Sequence, residues 1–400
     1  MTAHTYDYLI IGAGIMGLSV ALELTKRNPL AHIAVLEKEP EPGLHASGRN
    51  SGVLHCGIYY ASDTLKAKLC AKGAALMRAF AEEHCIPCER NGKIIIPTSA
   101  QDLPTVERLL SNAADHGIRA EKLDVQAVKA LEPYANPYQV GIHCPDTAVI
   151  DGKGVIQQLR RMLEAQGVRF FWNCKIVEVV PAAKCVKSAT DSFSYGYLLN
   201  CAGAHADRLA KMFGLAQNHA LVPFKGIYYK LSPRSAGLVK NSIYPVPDIA
   251  LPFLGVHLTR VISGDVYVGP TAIPALGREN YGLLQGIEWA ESLTIAQRLA
   301  QLYWDNSQNF RLLAHSEMKK YLKTYFLDAA RKLVPALKAE DLLPTQKSGI
   351  RPQLVNIAEQ RLEMDYLLEH TENSLHVLNA ISPAFTCGFA FAELLVDRMP

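Results

Sequence analysis

Along residues 6–37, YDYLIIGAGIMGLSVALELTKRNPLAHIAVLE, the hydrophobic pattern changes character twice. Tyr8–Ile11 is a short apolar run of strand length. From Ile15 the apolar positions fall at helical spacing, and a second apolar run ends at Glu37. Gly12, Gly14 and Gly17 stand where the first strand gives way to the helix. The same strand–turn–helix pattern returns at 196–210 (GYLLNCAGAHADRLA), with Ala202, Gly203 and Ala204 in the turn, and again at 375–396 (LHVLNAISPAFTCGFAFAELLV).

Between these repeats of pattern, 43–60 (GLHASGRNSGVLHCGIYY) is too polar and glycine-rich for a core element. Leu65, Leu69, Leu76 and Phe80 share one face of a helix expected over about 64–84. A strand is expected at 92–99, a capped helix at 102–117, a loop at 142–154, a helix at 154–166 and a strand at 168–180. Alternation at 221–231 and 255–272 reads as an antiparallel sheet, and 285–338 is helical in pattern. The fold class expected is α/β (α+β overall): a Rossmann-type nucleotide-binding domain, discontinuous over 1–88, 145–216 and 345–400, with an inserted antiparallel-sheet-plus-helices substrate domain from 89–144 and 217–344.

The first turn carries G-x-G-x-x-G, and Glu37 follows Gly17 by 20 residues, the spacing of a dinucleotide fingerprint. Gly12 permits the tight turn, Gly14 admits the pyrophosphate, and Gly17 lets helix and strand pack. The phosphates would sit at the positive end of the helix and Glu37 would accept from ribose hydroxyls. A nicotinamide-binding domain is usually one contiguous block, whereas here three such turns are spread to the C-terminus; FAD, longer and extended, is the cofactor expected. The cofactor-binding residues read from these segments are Gly12, Gly14, Ile15, Met16, Gly17, Glu37 and Lys38; Ser47, Arg49, Asn50, Ser51 and Gly52; Val177, Ala202 and Gly203; and Gly349, Arg351, Ser382, Pro383, Ala384, Phe385 and Thr386.

Charge is nearly balanced, 41 basic against 38 acidic residues, which argues against a nucleic-acid partner. The nine cysteines have no framework spacing and predict reduced thiols. Cys85 and Cys88 form a C-x-x-C read as a loop at a helix end, not a redox or zinc site, and no metal site is expected. A strand by residue 7 leaves no room for a leader, so a cytoplasmic setting is expected. Residues 310–332 mix Lys and Arg with Phe, Leu and Tyr. They read as a helix capping the sheet, with peripheral contact at the inner membrane face as the alternative.

Several side chains could carry chemistry. His55 is flanked by small residues and could take a hydroxyl proton near neutral pH. Arg49, Lys66, Lys225, Arg260 and Arg351 are cations beside glycines or strand ends, suited to carboxylates. His257 and Arg260 lie three apart on one strand and should face opposite ways, so that only one lines the pocket. A covalent flavin bond to Cys56 or Cys387 is conceivable.

Taken in order, HASGRNSGVLHCGIYYASDTLKAKLC (45–70), VPFKGIYYKL (222–231), LGVHLTR (254–260), VGPTA (268–272) with LGREN just after, SGIRPQ (348–353) and LNAISPAFT (378–386) resemble the L-2-hydroxyglutarate dehydrogenase/oxidase family of the glycine/D-amino-acid oxidase superfamily. The resemblance spans nearly the whole chain; Ala46, Lys225 and Thr271 depart from its pattern. It implies hydride transfer from C2 of a 2-hydroxy acid to flavin N5, with L-2-hydroxyglutarate as substrate and oxygen or a quinone as electron acceptor. His55 would be the base. Arg351 would stabilise reduced flavin and the C1 carboxylate, and Tyr60, His257, Arg260 or Lys225 would hold the substrate. An amine or amino-acid oxidase, a glycerol-3-phosphate dehydrogenase and a non-catalytic flavin-stabilised protein are the alternatives.

Overall fold

The computed structural model describes residues 2–248 and 253–400. Its first sheet has eight strands. Asp191–Asn200, Thr2–Ile11, Ile33–Leu36 and Arg169–Phe171 lie side by side and parallel, and Ser374–Val377 also pairs in parallel with Asp191–Asn200. The beginning, middle and end of the chain therefore meet in one sheet. Alternation sorts its side chains onto two faces. Ile10 and Val35 pack in the core shared with the helices Ile15–Arg27, Leu65–Glu83, Gly152–Ala165 and Ala384–Asp397. Leu9 and Leu36 pack in the opposite core with Phe193 and Leu209. Each such buried aliphatic contributes roughly 1.5–3 kcal/mol.

Local chemistry sets the helix starts. The Thr64 hydroxyl accepts from the Ala67 amide, and Asp151 Oδ1 accepts from the Lys153 and Gly154 amides, each satisfying orphan donors of a first turn.

The second sheet has ten strands. Its pairs are antiparallel except for Ser242–Pro245, which runs parallel to Lys93–Ile96. Its backbone is the pairing of His219–Leu231 with Leu342–Asn356. Residues 345–356 thus lie in this sheet, not with the nucleotide-binding domain to which the sequence reading gave them. Pro344 and Pro352 hide that strand from a pattern-based reading, because proline in a ladder usually argues against one. Here Pro352 sits opposite Pro223, so both positions lacking an N–H coincide.

Two further expectations change. The loop read at 142–154 contains strands Val140–Cys144 and Ala148–Ile150, the latter pairing with both Val53–Leu54 and Cys88–Glu89 in a small third sheet. Such short strands are set by distant partners and carry no periodicity of their own. The strand read at 168–180 is two, Arg169–Phe171 and Glu178–Val180, parted where Asn173 takes φ 54°.

Three helices, Trp289–Asp305, Phe310–Lys319 and Lys323–Leu333, cover the second sheet. Phe326, Leu327, Ala330 and Leu333 bury one face of the last against Leu258 and Val268. No helix among the described residues is long and apolar enough to cross a membrane.

Candidate cofactor and substrate cavity

A cavity of about 700 Å³ runs from the ends of the parallel strands to the face of the second sheet. At one end the first glycine turn is shaped by close approach. Gly12 has φ 105°, and a Cβ there would fall 2.5 Å from the Cys201 carbonyl oxygen. A Cβ on Gly17 would fall 1.9 Å from the Gly12 carbonyl oxygen, which is why the helix can begin so near the strand. Gly14, Ile15 and Met16 line the cavity, while Gly17 serves packing beneath it. The Ile15 amide donates to Ser47 Oγ at 2.9 Å, tying the 43–60 segment to the helix start. Glu37 accepts from the Ala13 amide (2.8 Å) and the Glu39 amide (3.0 Å), so it braces the turn and keeps further lone pairs for a ribose.

The lining also carries a charged cluster. Lys38 Nζ bonds Glu39, Glu279 Oε1 (2.7 Å) and His45 Nε2 (2.9 Å), and Glu279 also meets His205 Nε2 at 2.8 Å. Burial works against the Lys38 ammonium, but its bonds to Glu279 and Glu39 outweigh that and raise its pKa. His205 first, then Lys38, holds Glu279 well below the carboxylate range. Ligand atoms of Glu39, His45 and Glu279 come within 4.8 Å of one another, a spacing that could hold a cation, and the ammonium supplies that charge itself. Next to this cluster, Arg278 is buried against Asp207 and Glu291, and Tyr281 lies under Arg49 (4.1 Å) with its hydroxyl on His45 Nδ1 (2.8 Å). The only sequence signal for Arg278 and Glu279 was the LGREN block.

Of the remaining cofactor candidates, Asn50, Ser51, Val177, Ala202, Gly203, Gly349, Ser382, Pro383, Ala384, Phe385 and Thr386 line the cavity; Gly52, with φ 75°, does not. Gly349 approaches the Arg49 carbonyl so closely that a Cβ would be 2.5 Å away. The two glycine turns, the helix N-terminus and the long cavity fit an extended dinucleotide such as FAD.

At the far end, His257 and Arg351 each come within electrostatic reach of His55. The His55 amide donates to Thr386 Oγ1 (3.2 Å) and its carbonyl accepts from Cys70 Sγ (3.2 Å), fixing the backbone that presents the imidazole. Burial, then Lys93, His257 and Arg351, lowers its pKa to about 3. His257 Nδ1 lies 2.9 Å from the Gly255 carbonyl. A carbonyl only accepts, so Nδ1 carries the proton and Nε2 presents a lone pair. Burial lowers its pKa to about 4, against the Gly255 bond. The Arg351 guanidinium lies 4.9 Å over the Phe253 ring, and burial lowers its pKa too.

Other candidates lie elsewhere. Lys225 faces a smaller pocket and donates to the Gly282 carbonyl (2.7 Å). Arg260 points to the Val239 carbonyl (3.4 Å) on the side of the strand away from His257, and Tyr60 packs against the first core. None of the three is among the residues that line the cavity. Lys66 is bound to the Met364 carbonyl. Cys56 and Cys387 are buried and are not among the lining residues. Departure from the family pattern at Thr271 has a local role: its hydroxyl accepts from the Ile227 amide (3.1 Å) and donates to the Lys225 carbonyl (3.3 Å).

Comparison with known proteins gives the same picture. The L-2-hydroxyglutarate dehydrogenase of Indibacter alkaliphilus is 36% identical over 403 residues, covering 98% of each chain. Its namesake in Escherichia coli (strain K12) is 34% identical over 98% of this chain and 93% of its own. The human mitochondrial protein of that name is 31% identical over 100% and 89%. Among solved structures, L-alpha-glycerophosphate oxidase from Mycoplasma pneumoniae superposes with a TM-score of 0.77 at 20% identity, covering 98% of this chain and 94% of that one. Glycine oxidase from Geobacillus kaustophilus gives 0.70 at 18%, with the same coverage. The FAD dependent oxidoreductase family, DAO, matches residues 7–398, and the chain belongs to it.

Proposed function

We propose that this protein oxidises L-2-hydroxyglutarate to 2-oxoglutarate. The observation that carries the reading is full-length relatedness, at 31–36% identity, to proteins named for that reaction. The cavity supports it by gathering two uncharged imidazoles and a guanidinium at the end away from the nucleotide turns. FAD, when bound along the two turns, supplies the hydride acceptor. Arg351 fixes a substrate carboxylate by a two-pronged bond, which orients C2. His55 takes the hydroxyl proton. Its pKa lies low, and the negative charge of an entering dicarboxylate raises it toward the range useful to a base. His257 Nε2, with its tautomer fixed, accepts a hydrogen bond from the substrate.

Anaerobic mixing with L-2-hydroxyglutarate, with the D-isomer as control, tests the reading: the visible flavin absorbance should bleach with the L-isomer alone. Bleaching by a 2-amino acid or glycerol 3-phosphate instead would replace it.

The electron acceptor is read as oxygen or a membrane quinone. Peripheral membrane contact is supported by the outer helices. Leu283, Trp289, Leu293 and Trp304 are 71–82% exposed, and Arg298, Arg311, Lys319 and Lys323 belong to the same stretch.

A further inference from the structure

Lys93 opens the strand Lys93–Ile96, opposite Cys144, and its side chain is 0% exposed. Its Nζ has no hydrogen-bond acceptor among the described residues. The ammonium instead sits 4.4 Å from the ring centroid of Tyr59 and 5.1 Å from that of Tyr244. Tyr244 in turn stacks on His257, with ring centroids 4.0 Å apart and planes at 17°. A cation, two aromatic faces and a cavity imidazole thus form one contiguous stack behind the catalytic end.

A bare ammonium in a core is expensive, and cores usually do without one. The adjacent Tyr59 hydroxyl also lacks a hydrogen-bond partner among the described residues. This pair does not act as a structural hydrogen bond, so the charge itself requires a reason.

We propose that Lys93 is a positioning residue of the oxidation: its buried ammonium, set behind the Tyr244 ring that stacks on His257, acts on the imidazoles that receive the substrate's hydroxyl proton. The idea rests on the reading of these histidines given above. The groups facing Lys93 are Cys56, Tyr59, Cys144 and Tyr244. Burial opposes the ammonium, but these neighbours, Cys56 foremost, outweigh it and hold Lys93 protonated. The groups facing His55 are Lys93, His257 and Arg351, with Lys93 the first of them. His257 meets Lys93 after burial and its Gly255 bond. Removing the Lys93 charge therefore lets both imidazoles bind protons at higher pH. The acid limb of the reaction then moves to higher pH.

The test is the pH dependence of anaerobic flavin reduction in Lys93→Met holoenzyme. The expected result is retained flavin, an acid limb raised by about one pH unit or more, and a loss at neutral pH that falls on kcat more than on KM. The thermal midpoint should hold or rise, since a buried charge has gone. Lys93→Arg, which keeps the charge, should return the limb to its wild-type position. If Lys93→Met does not retain flavin, Lys93→Gln carries the same prediction on the same readout. An unmoved limb overturns the proposal. His55→Gln and His257→Gln separate the two ideas. If they abolish the limb while Lys93→Met leaves it in place, only the role of Lys93 fails. If they leave the limb and the rate intact, the imidazoles are not the proton acceptors and both ideas fail.

Discussion

Gly17 stands so close to Gly12 that a Cβ on the first would lie 1.9 Å from the carbonyl oxygen of the second. Backbone cannot yield that much, so even the smallest side chain must push the helix Ile15–Arg27 away from the strand Thr2–Ile11. The amides of the first helical turn would then leave the cavity end they are aimed at. Gly17→Ala should bind FAD at least tenfold more weakly, read by flavin content after dialysis. The apoprotein should also unfold about 1–3 kcal/mol more easily, the usual cost of overpacking. Unchanged flavin affinity would mean that the turn does not hold the pyrophosphate.

Arg278 and Asp207 make a buried two-pronged pair, with Nη2 3.0 Å from Oδ2, that ties the loop carrying Glu279 and Tyr281 to the helix Ala206–Met212. Arg278→Met leaves Asp207 charged and uncompensated in the interior, a loss of about 3–5 kcal/mol. Urea denaturation should show that loss, and Arg278→Met with Asp207→Asn together should recover part of it. Because the same loop lines the cavity, flavin should dissociate faster in the single variant. Equal flavin off-rates would separate the loop's stability from cofactor retention.

The glycine turns were legible because each needs a residue type that sterics dictate; the 43–60 segment, too polar in pattern for a core element, nonetheless buries Leu54, Cys56 and Ile58 through partners distant in the chain. Lys38 was read as a cofactor ligand, but its bond to Glu279 joins residues far apart in the chain and has no local pattern. The same holds for Lys93: on sequence it is one lysine at the start of an apolar strand, and only the folded chain brings Tyr59 and Tyr244 to its two sides. The contacts of Lys225 and Arg260 were illegible for a related reason. A cation beside a glycine or at a strand end can serve a site, yet the turn at Gly282 captured one and the Val239 carbonyl the other.

Acid should weaken this protein through its buried histidines. Burial lowers the pKa of His257 and of His376 to about 4. His376 is held neutral by geometry as well: Asn200 Nδ2 donates to its Nδ1 at 3.0 Å, and Ser374 Oγ lies 2.9 Å from its Nε2. In the unfolded chain both titrate near 6.5, so below that pH the unfolded state binds more protons than the native one. The stability is fully present above about pH 6.5 and falls as pH approaches about 4, by roughly 1.4 kcal/mol per pH unit for each histidine. Thermal midpoints measured from pH 7.5 down to 5 should show the decline, with a shallower slope in His376→Gln. A flat profile would mean that these rings accept protons without unfolding.

The outer helices offer the last test. Trp289 and Leu293 lie one turn apart on Trp289–Asp305, and both are largely exposed. Inserting such side chains among acyl chains gains apolar burial, and nearby Arg298 and Arg311 would meet lipid phosphates. The holoenzyme should therefore co-sediment with anionic phospholipid vesicles, less so as salt rises, and vesicles loaded with a quinone should reoxidise the flavin faster than air does. Trp289→Glu with Leu293→Glu should cut vesicle binding about tenfold or more, since two apolar anchors are lost and two negative charges gained. Substrate reduction of the flavin should stay at the wild-type rate, because neither residue lines the cavity. Failure to bind vesicles at low salt, together with hydrogen peroxide formed in step with 2-oxoglutarate, would assign the electrons to oxygen and leave this face for another use.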